Sequence, residues 1–141
     1  MPKLYHGTRR QFAIAMSDTP SRGTIDVLTR GSGEFGKGFY TQDSISNAHR
    51  WAHGRFPNDE AILILDIDND EYHALKIRRL SHQQATRLTS RLSPVTKGTY
   101  TTADDVIVGP LLSGPQIEQQ KFQTAVAQDL LNGPNTQRTV Q

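Results

Sequence analysis

The chain has 141 residues, of which 35% are hydrophobic and 21% charged, and this length fits a single domain with one core and one cleft. Its formal net charge of +2 is too small for a protein whose binding depends on dense contacts with nucleic-acid phosphates. The absence of cysteine excludes disulfides and thiolate chemistry, and the lack of an apolar run of roughly 20 residues predicts a cytoplasmic protein without membrane contact.

The first third of the chain predicts two short strands and a glycine-rich loop. Residues 4–8 are typical of a strand that reaches a glycine, where the backbone can approach a ligand closely. Residues 9–24 are polar and interrupted by proline and glycine, which predicts a loop with at most one helical turn. Residues 24–28 predict a second strand. Four glycines then fall within residues 31–38, before two aromatic residues at 39–40 that are typical of a strand.

The rest of the chain alternates between predicted helices and strands. Helices are predicted from Asp43 or Ser44 to Gly54, over 81–92 and over 124–133, each opened by a side chain that can cap it. Strands are predicted over 61–67, 105–110 and 117–122, and the first of them is a continuous apolar run typical of a strand covered on both faces. We expect a domain over residues 1–133 and a disordered tail over 134–141. The pattern favours an α+β fold over a Rossmann unit.

The glycine-rich segment can be interpreted as a ligand-binding loop or as a flexible surface loop. It lacks the Gly-Lys-Ser/Thr ending of a Walker loop, because Gly36-Lys37-Gly38 continues into Phe39 and Tyr40. It also lacks the βαβ surroundings of a dinucleotide fingerprint. Spacing alone leaves both interpretations open.

Metal-binding patterns are incomplete in this sequence. His49 and His53 stand four residues apart on a predicted helix, but a zinc site needs a third ligand, for which Asp59 or Glu60 would have to serve. The alternating acidic residues over 66–70 lack the glycine and terminal glutamate of a calcium loop. We therefore expect no metal.

Five segments in order resemble a known family. They are residues 5–8 (YHGT), 34–41 (EFGKGFYT), 48–52 (AHRWA), 105–110 (DVIVGP) and 119–124 (QQKFQT). Together they resemble the small ADP-ribosyltransferase-like domains of bacteria and, more broadly, the His-Tyr-Glu branch shared by diphtheria-toxin-type toxins and poly-ADP-ribose polymerases. The resemblance covers residues 4 to about 131 and implies short strands in two packed sheets, split by a cleft, with about three helices.

The resemblance also implies a pocket for NAD⁺ as co-substrate. His6 would hydrogen-bond a ribose hydroxyl, the backbone of Gly7 would hold the carboxamide, and the ring of Tyr40 would stack on the cationic nicotinamide. Gly36 and Gly38 would let the segment before Tyr40 bend into the cleft. The neighbouring Thr8 and Phe39 complete the implied cofactor-binding set.

The third catalytic position departs from the family pattern. The family carries a glutamate on a late strand, and Gln119, three residues before Phe122, stands at the matching position. A neutral amide can hydrogen-bond a ribose hydroxyl but cannot take a proton as a carboxylate does. Glu118 is the alternative, although strand alternation aims it at the opposite face. The implied catalytic set is therefore His6, Tyr40 and Gln119.

The resemblance implies a mono-ADP-ribosyltransferase, acting as a bacterial toxin or effector domain on a protein or nucleic-acid acceptor, with an immunity protein as partner. One alternative is NAD⁺ glycohydrolysis, in which water is the acceptor. The other is a catalytically silent module that binds ADP-ribose or a partner, which Gln119 would favour. Arg9, Arg10 and Arg30 flank the implied cleft in sequence and are candidates for contacts with pyrophosphate or acceptor.

Overall fold

A computed structural model describes residues 2–112 and 117–141, which form nine strands and six helices. The strands are β1 (Lys3–Arg9), β2 (Ser32–Gly33), β3 (Gly36–Lys37), β4 (Phe39–Gln42), β5 (Glu60–Ile67), β6 (Ile77–Arg79), β7 (Val106–Pro110), β8 (Glu118–Phe122) and β9 (Thr136–Val140). The helices are α1 (Arg10–Met16), α2 (Ile45–Arg55), α3 (Asn69–His73), α4 (His82–Arg91), α5 (Pro94–Lys97) and α6 (Ala125–Asn132). The predicted α+β class with two sheets is confirmed.

The main sheet is divided by a weak junction near its middle. In the described residues it contains seven strands in the order β6-β7-β8-β4-β1-β5-β9, while β2 and β3 form a separate two-residue ladder. The apolar strand β5 pairs along its length with β1 and along most of it with β9. In contrast, the register between β1 and β4 contains the single pair Tyr5–Gln42 within the described chain. We call this junction the seam.

Helices cover both faces of the sheet, so β5 is buried on both sides as its sequence predicts. Leu63 and Leu65 belong to the larger core, together with residues of α1 and α6. Ile62 faces the other way and packs on Ala48 and Ala52 of α2. Each such aliphatic side chain contributes roughly 1.5–3 kcal/mol when fully buried.

The three predicted helices are confirmed as α2, α4 and α6, and a side-chain cap begins each of them. The Ser44 side chain accepts a hydrogen bond from the Asn47 amide, and Ser81 forms the predicted reciprocal capping box with Gln84. Thr124 accepts from the Ala127 amide at 3.1 Å. Such caps contribute about 1 kcal/mol each, which explains why local sequence located these helices.

Two predictions for residues 9–28 are wrong. The segment 10–16 forms α1 instead of a loop, because its apolar residues precede the proline and glycine and bury Ala13 in the core. Residues 24–28 do not form a strand. The backbone amides of Ile25 and Val27 donate instead to the side chains of Asn132 and Gln128, at 2.7 and 2.8 Å. Helix α6 thus supplies the acceptors that a neighbouring strand would otherwise provide.

The predicted disordered tail is also wrong, since β9 pairs with β5 and extends the domain beyond residue 133. Arg138 of β9 is 1% exposed and its guanidinium lies 3.5 Å from the Asp18 carboxylate. The backbones of the two residues are also joined, because the Asp18 amide donates to the Arg138 carbonyl at 2.9 Å. The short strand β6 was not predicted, since its three residues are largely exposed.

Candidate functional site

A cleft of about 620 Å³ opens along the seam. Its walls come from β1, β4, α1, α2 and the glycine-rich loop, and β8 contributes one side chain. It is lined by all of the predicted site residues except Gly36, namely His6, Gly7, Thr8, Gly38, Phe39, Tyr40 and Gln119. The fold therefore brings together residues from three strands that are distant in sequence.

His6 is held as a neutral imidazole on the β1 side of the cleft. Its Nδ1 donates to the backbone carbonyl of Tyr40 at 2.6 Å, and its ring stacks on Phe39 with 4.2 Å between centroids. Burial lowers the pKa of His6, which outweighs the opposing effect of the hydrogen bond to Tyr40. A neutral ring that donates through Nδ1 leaves Nε2 as an acceptor. His6 is thus able to accept a hydrogen bond from a hydroxyl group.

Gly7 is required first of all for packing. A Cβ at this position would lie 2.7 Å from the Ala48 carbonyl oxygen and 3.0 Å from the Ala52 side chain. Any larger residue would therefore push α2 away from β1. Gly7 also lines the cleft.

Tyr40 is fixed by the loop that precedes it. Its hydroxyl donates to the Gly36 carbonyl at 2.6 Å and accepts from the Phe35 amide at 3.0 Å. Burial raises the pKa of Tyr40, so the phenol stays protonated. Gly33 lies against one face of the ring, where a Cβ would come within 2.7 Å of Cζ. With its hydroxyl engaged by the loop, Tyr40 can act in the cleft through its ring.

The turn of the glycine-rich loop depends on Gly36, which is buried behind the cleft. Its φ of +98° lies in the left-handed region that glycine adopts without strain. A Cβ would also lie 2.6 Å from the Tyr100 carbonyl oxygen. Gly36 therefore shapes the loop instead of lining the cleft.

Lys121, which sequence reasoning did not single out, fastens this loop to β8. Its buried Nζ donates to the carbonyls of Phe35 and Tyr100 at 2.9 and 3.1 Å. Burial lowers the pKa of Lys121 to about 8. Its alternation with Gln119 on β8 was the available signal, because both side chains point to the face that carries the loop.

Gln119, which is buried, and Glu34, which is partly buried, form a hydrogen-bonded polar pair inside the cleft. The Gln119 amide Nε2 donates to Glu34 Oε1 at 2.9 Å, and the Leu112 backbone amide donates to the same oxygen at 2.9 Å. Gln119 is 5% exposed and both side chains line the cleft. Glu34 is the first residue of the 34–41 motif but is not among the predicted site residues.

Glu118, the alternative to Gln119, lies outside the cleft. Its side chain is 54% exposed and its carboxylate lies 3.7 Å from the Arg79 guanidinium. Strand alternation thus separates it from Gln119 as expected. Of the two neighbouring residues, Gln119 is the one that faces the cleft.

Three aromatic residues that the sequence did not predict as part of the site also line the cleft. They are Phe12, Trp51 and Phe56, with the Arg55 guanidinium 5.0 Å above the Trp51 ring. Helical spacing predicts that Trp51 shares one face of α2 with Ala48 and Ala52, but it is 40% exposed. The reason is that α2 packs through small alanines, which leave no room for an indole beneath the helix.

The three arginines predicted near the cleft have different surroundings. Arg30 lines it and lies 4.0 Å from the Asp26 carboxylate. Arg9 pairs with Asp59 at 3.8 Å, and Arg10 donates to the Glu60 carbonyl at 3.5 Å. Arg30 is therefore the one of the three in place to contact a bound anion.

The histidines of α2 do not assemble a metal site in the described part of the chain. His53 Nδ1 lies 2.9 Å from the Glu60 carboxylate, while His49 stacks on His53. Within residues 2–112 and 117–141, no group of three His, Asp or Glu side chains is placed to hold a metal ion. The same residues contain no helix with the length and apolar character that a bilayer crossing requires.

Comparison with known proteins does not identify a family. No protein-family model matches the chain, and no curated protein matches it in sequence.

Proposed function

We propose that the chain is a NAD⁺-dependent mono-ADP-ribosyltransferase that breaks the bond between nicotinamide and ribose and transfers ADP-ribose to a macromolecular acceptor. One observation carries this proposal. His6, Tyr40 and Gln119 come from β1, β4 and β8 and line one cleft, in the order in which the resembling family uses a histidine, a tyrosine and a glutamate.

The cleft has suitable chemistry for NAD⁺. Its volume of about 620 Å³ lies within the roughly 300–1,000 Å³ typical of small-molecule sites. The Nε2 atom of His6 would accept from a ribose hydroxyl, and the ring of Tyr40 would attract the cationic nicotinamide. Arg30, which also lines the cleft, would attract the pyrophosphate.

The reaction places positive charge on the ribose. As nicotinamide leaves, C1 of the ribose becomes oxocarbenium-like and must be stabilised by nearby polar groups. The acceptor then forms its bond to C1. Glu34 is one of the polar groups that line this cleft, and its charge adds to the effect of burial in raising the pKa of Tyr40.

The biological setting that we propose follows from the motif resemblance. Compact domains with this motif order include many bacterial toxins and effectors, so we propose that the chain acts as one in the cytoplasm of a target cell. A neutralising immunity protein is then the expected partner. Recovery of a tight complex with a protein encoded beside this chain would test that part of the proposal.

The test of the activity is release of nicotinamide from labelled NAD⁺, with candidate protein and nucleic-acid acceptors present or absent. We expect release by the wild type and a loss of about 10-fold or more in His6→Ala, because the ribose hydroxyl loses its acceptor. The matched control is His73→Ala, because His73 is exposed on α3 and bonds to the Asn69 carbonyl. Absence of both release and labelling in the wild type would contradict the proposal.

A second candidate function is a silent module that binds ADP-ribose or NAD⁺ without turnover. The observation that favours it is the neutral amide of Gln119 at the third position. Calorimetry on the wild type and on Tyr40→Ala separates the two functions. Binding that depends on Tyr40 in a protein that releases no nicotinamide would support the module, while free ADP-ribose without labelled acceptor would indicate glycohydrolysis.

A further inference from the structure

We propose that Glu34 supplies the carboxylate of this site and that Gln119 positions it. The inference rests on the proposed function and concerns how the chain performs that reaction without a glutamate on β8. A carboxylate can stabilise the charge that develops on the ribose and can take a proton from the acceptor, whereas a neutral amide cannot take that proton.

The backbone of Glu34 is held firmly beside the cleft. Its carbonyl accepts from the Thr89 hydroxyl at 3.1 Å. The next residue, Phe35, donates to the Tyr40 hydroxyl at 3.0 Å and accepts from Lys121 at 2.9 Å. Contacts from α4, β4 and β8 thus fix the position from which the Glu34 side chain enters the cleft.

The Glu34 carboxylate is oriented by hydrogen bonds to one of its two oxygens. Among residues 2–112 and 117–141 it accepts two hydrogen bonds, from Gln119 and Leu112, and both fall on Oε1. Its second oxygen, Oε2, therefore has no donor among these residues. The bonds to Oε1 set the direction of the group, and Oε2 is the atom that would receive a proton.

Gln119 connects this carboxylate to the position where the ribose would lie. Its amide nitrogen is used in the bond to Glu34, which leaves the amide oxygen as an acceptor for a ribose hydroxyl. The amide thus keeps the contact that the family glutamate would make with the ribose. The proton-accepting role passes to Glu34.

The chemical step balances with these two groups. An acceptor hydroxyl forms a bond to C1 of the ribose, the bond from C1 to nicotinamide breaks, and nicotinamide leaves as a neutral molecule with that electron pair. The proton of the acceptor moves to Oε2 of Glu34. When water is the acceptor, the same transfer gives free ADP-ribose.

A purely structural role for Glu34 is distinguishable from this one. The structural alternative is that Glu34 fastens Gln119 and Leu112 in place. In Glu34→Gln the amide oxygen can still accept both hydrogen bonds, while the charge and the basic oxygen are lost. A structural role therefore predicts an active variant, and the proposed role predicts an inactive one.

The experiment measures kcat and KM for nicotinamide release, together with thermal melting, in Glu34→Gln and in the matched control Glu118→Gln. We expect Glu34→Gln to lower kcat about 100-fold or more with KM and melting close to wild type. Glu118→Gln should resemble the wild type because its carboxylate lies outside the cleft.

Each outcome decides the inference. Activity of Glu34→Gln within about threefold of the wild type would overturn it and leave the proposed function intact, since general-base effects are much larger. A loss of kcat in Glu118→Gln as large as that in Glu34→Gln would overturn the assignment of the carboxylate to Glu34. A wild type that releases no nicotinamide would overturn the proposed function and this inference together.

Discussion

His6 and Tyr40 are joined across the seam by a hydrogen bond of 2.6 Å from the imidazole Nδ1 to the Tyr40 carbonyl. The histidine therefore has two separable parts. Its Nδ1 atom joins β1 to Tyr40 on β4, and its Nε2 atom is the acceptor for a ligand. A substitution that restores only the Nδ1 donor should affect ligand binding, and one that removes both nitrogens should affect stability as well.

The two nitrogens of His6 can be tested separately. In His6→Asn the amide nitrogen can replace Nδ1 as donor to Tyr40, while nothing replaces Nε2. We expect this variant to unfold in urea near the wild-type midpoint but to release nicotinamide at least about 10-fold more slowly, because the ribose hydroxyl loses its acceptor. His6→Ala should lose about 1 kcal/mol of stability as well. Equal destabilisation by both substitutions would show that Asn does not restore the bond across the seam.

Lys121 makes stability depend on pH in the alkaline range. Its folded-state pKa of about 8 lies below its ordinary value of 10.5, so between these values the unfolded chain binds more protons than the folded one. The wild type should therefore gain stability relative to Lys121→Met as pH rises from about 8 to 10.5, by roughly 3 kcal/mol at most. Urea unfolding at several pH values measures this, and a constant difference between the two proteins would disprove it.

Gly7 and Gly54 should respond in opposite directions to alanine. Gly7→Ala would place a Cβ 2.7 Å from the Ala48 carbonyl oxygen, and we expect a loss of roughly 1–3 kcal/mol. Gly54 lies in α2, and apart from its own helix backbone and chain neighbours no atom of the described residues lies within 4 Å of its would-be Cβ. Gly54→Ala should therefore stabilise by up to about 1 kcal/mol. Thermal melting of both variants provides the measurement. Similar shifts would mean that β1 and α2 are not closely packed at Gly7.

Asp18 should be costly to remove because it compensates a buried cation. In Asp18→Ala the buried guanidinium of Arg138 loses its nearest carboxylate, and we expect a loss of about 3–5 kcal/mol. Replacing Arg138 with methionine in that background should recover part of the loss, because the unpaired charge is removed. Chemical denaturation of the single and double variants tests this. A double variant less stable than Asp18→Ala alone would contradict the explanation.

The elements that could be predicted are those fixed by neighbouring residues. The apolar run of β5 and the capping box of Ser81 and Gln84 carry their structural information within a few positions. The strand β9 could not be predicted in this way. Its polar sequence is ordered by Asp18, which lies 120 positions away in the chain.

The candidate site shows the same limit. The resemblance depends on the order of the motifs along the chain, and it allowed the motif residues to be placed near one cleft. The pairing of Glu34 with Gln119 could not be predicted, because the two residues are 85 positions apart. They meet only because the fold places the glycine-rich loop beside β4 and β8. The exposure of Trp51 was also beyond the sequence, because it depends on how closely α2 approaches the sheet, which helical periodicity does not reveal.

A molecule bound in the cleft would connect the two parts of the main sheet that meet at the seam. Within the described chain, β1 and β4 share the pair Tyr5–Gln42, so the half-sheets on either side are held together by few backbone bonds. A molecule that reaches from His6 to Gln119 would act as a crosslink between these halves. Its binding should therefore slow amide hydrogen exchange even in strands that do not contact the bound molecule.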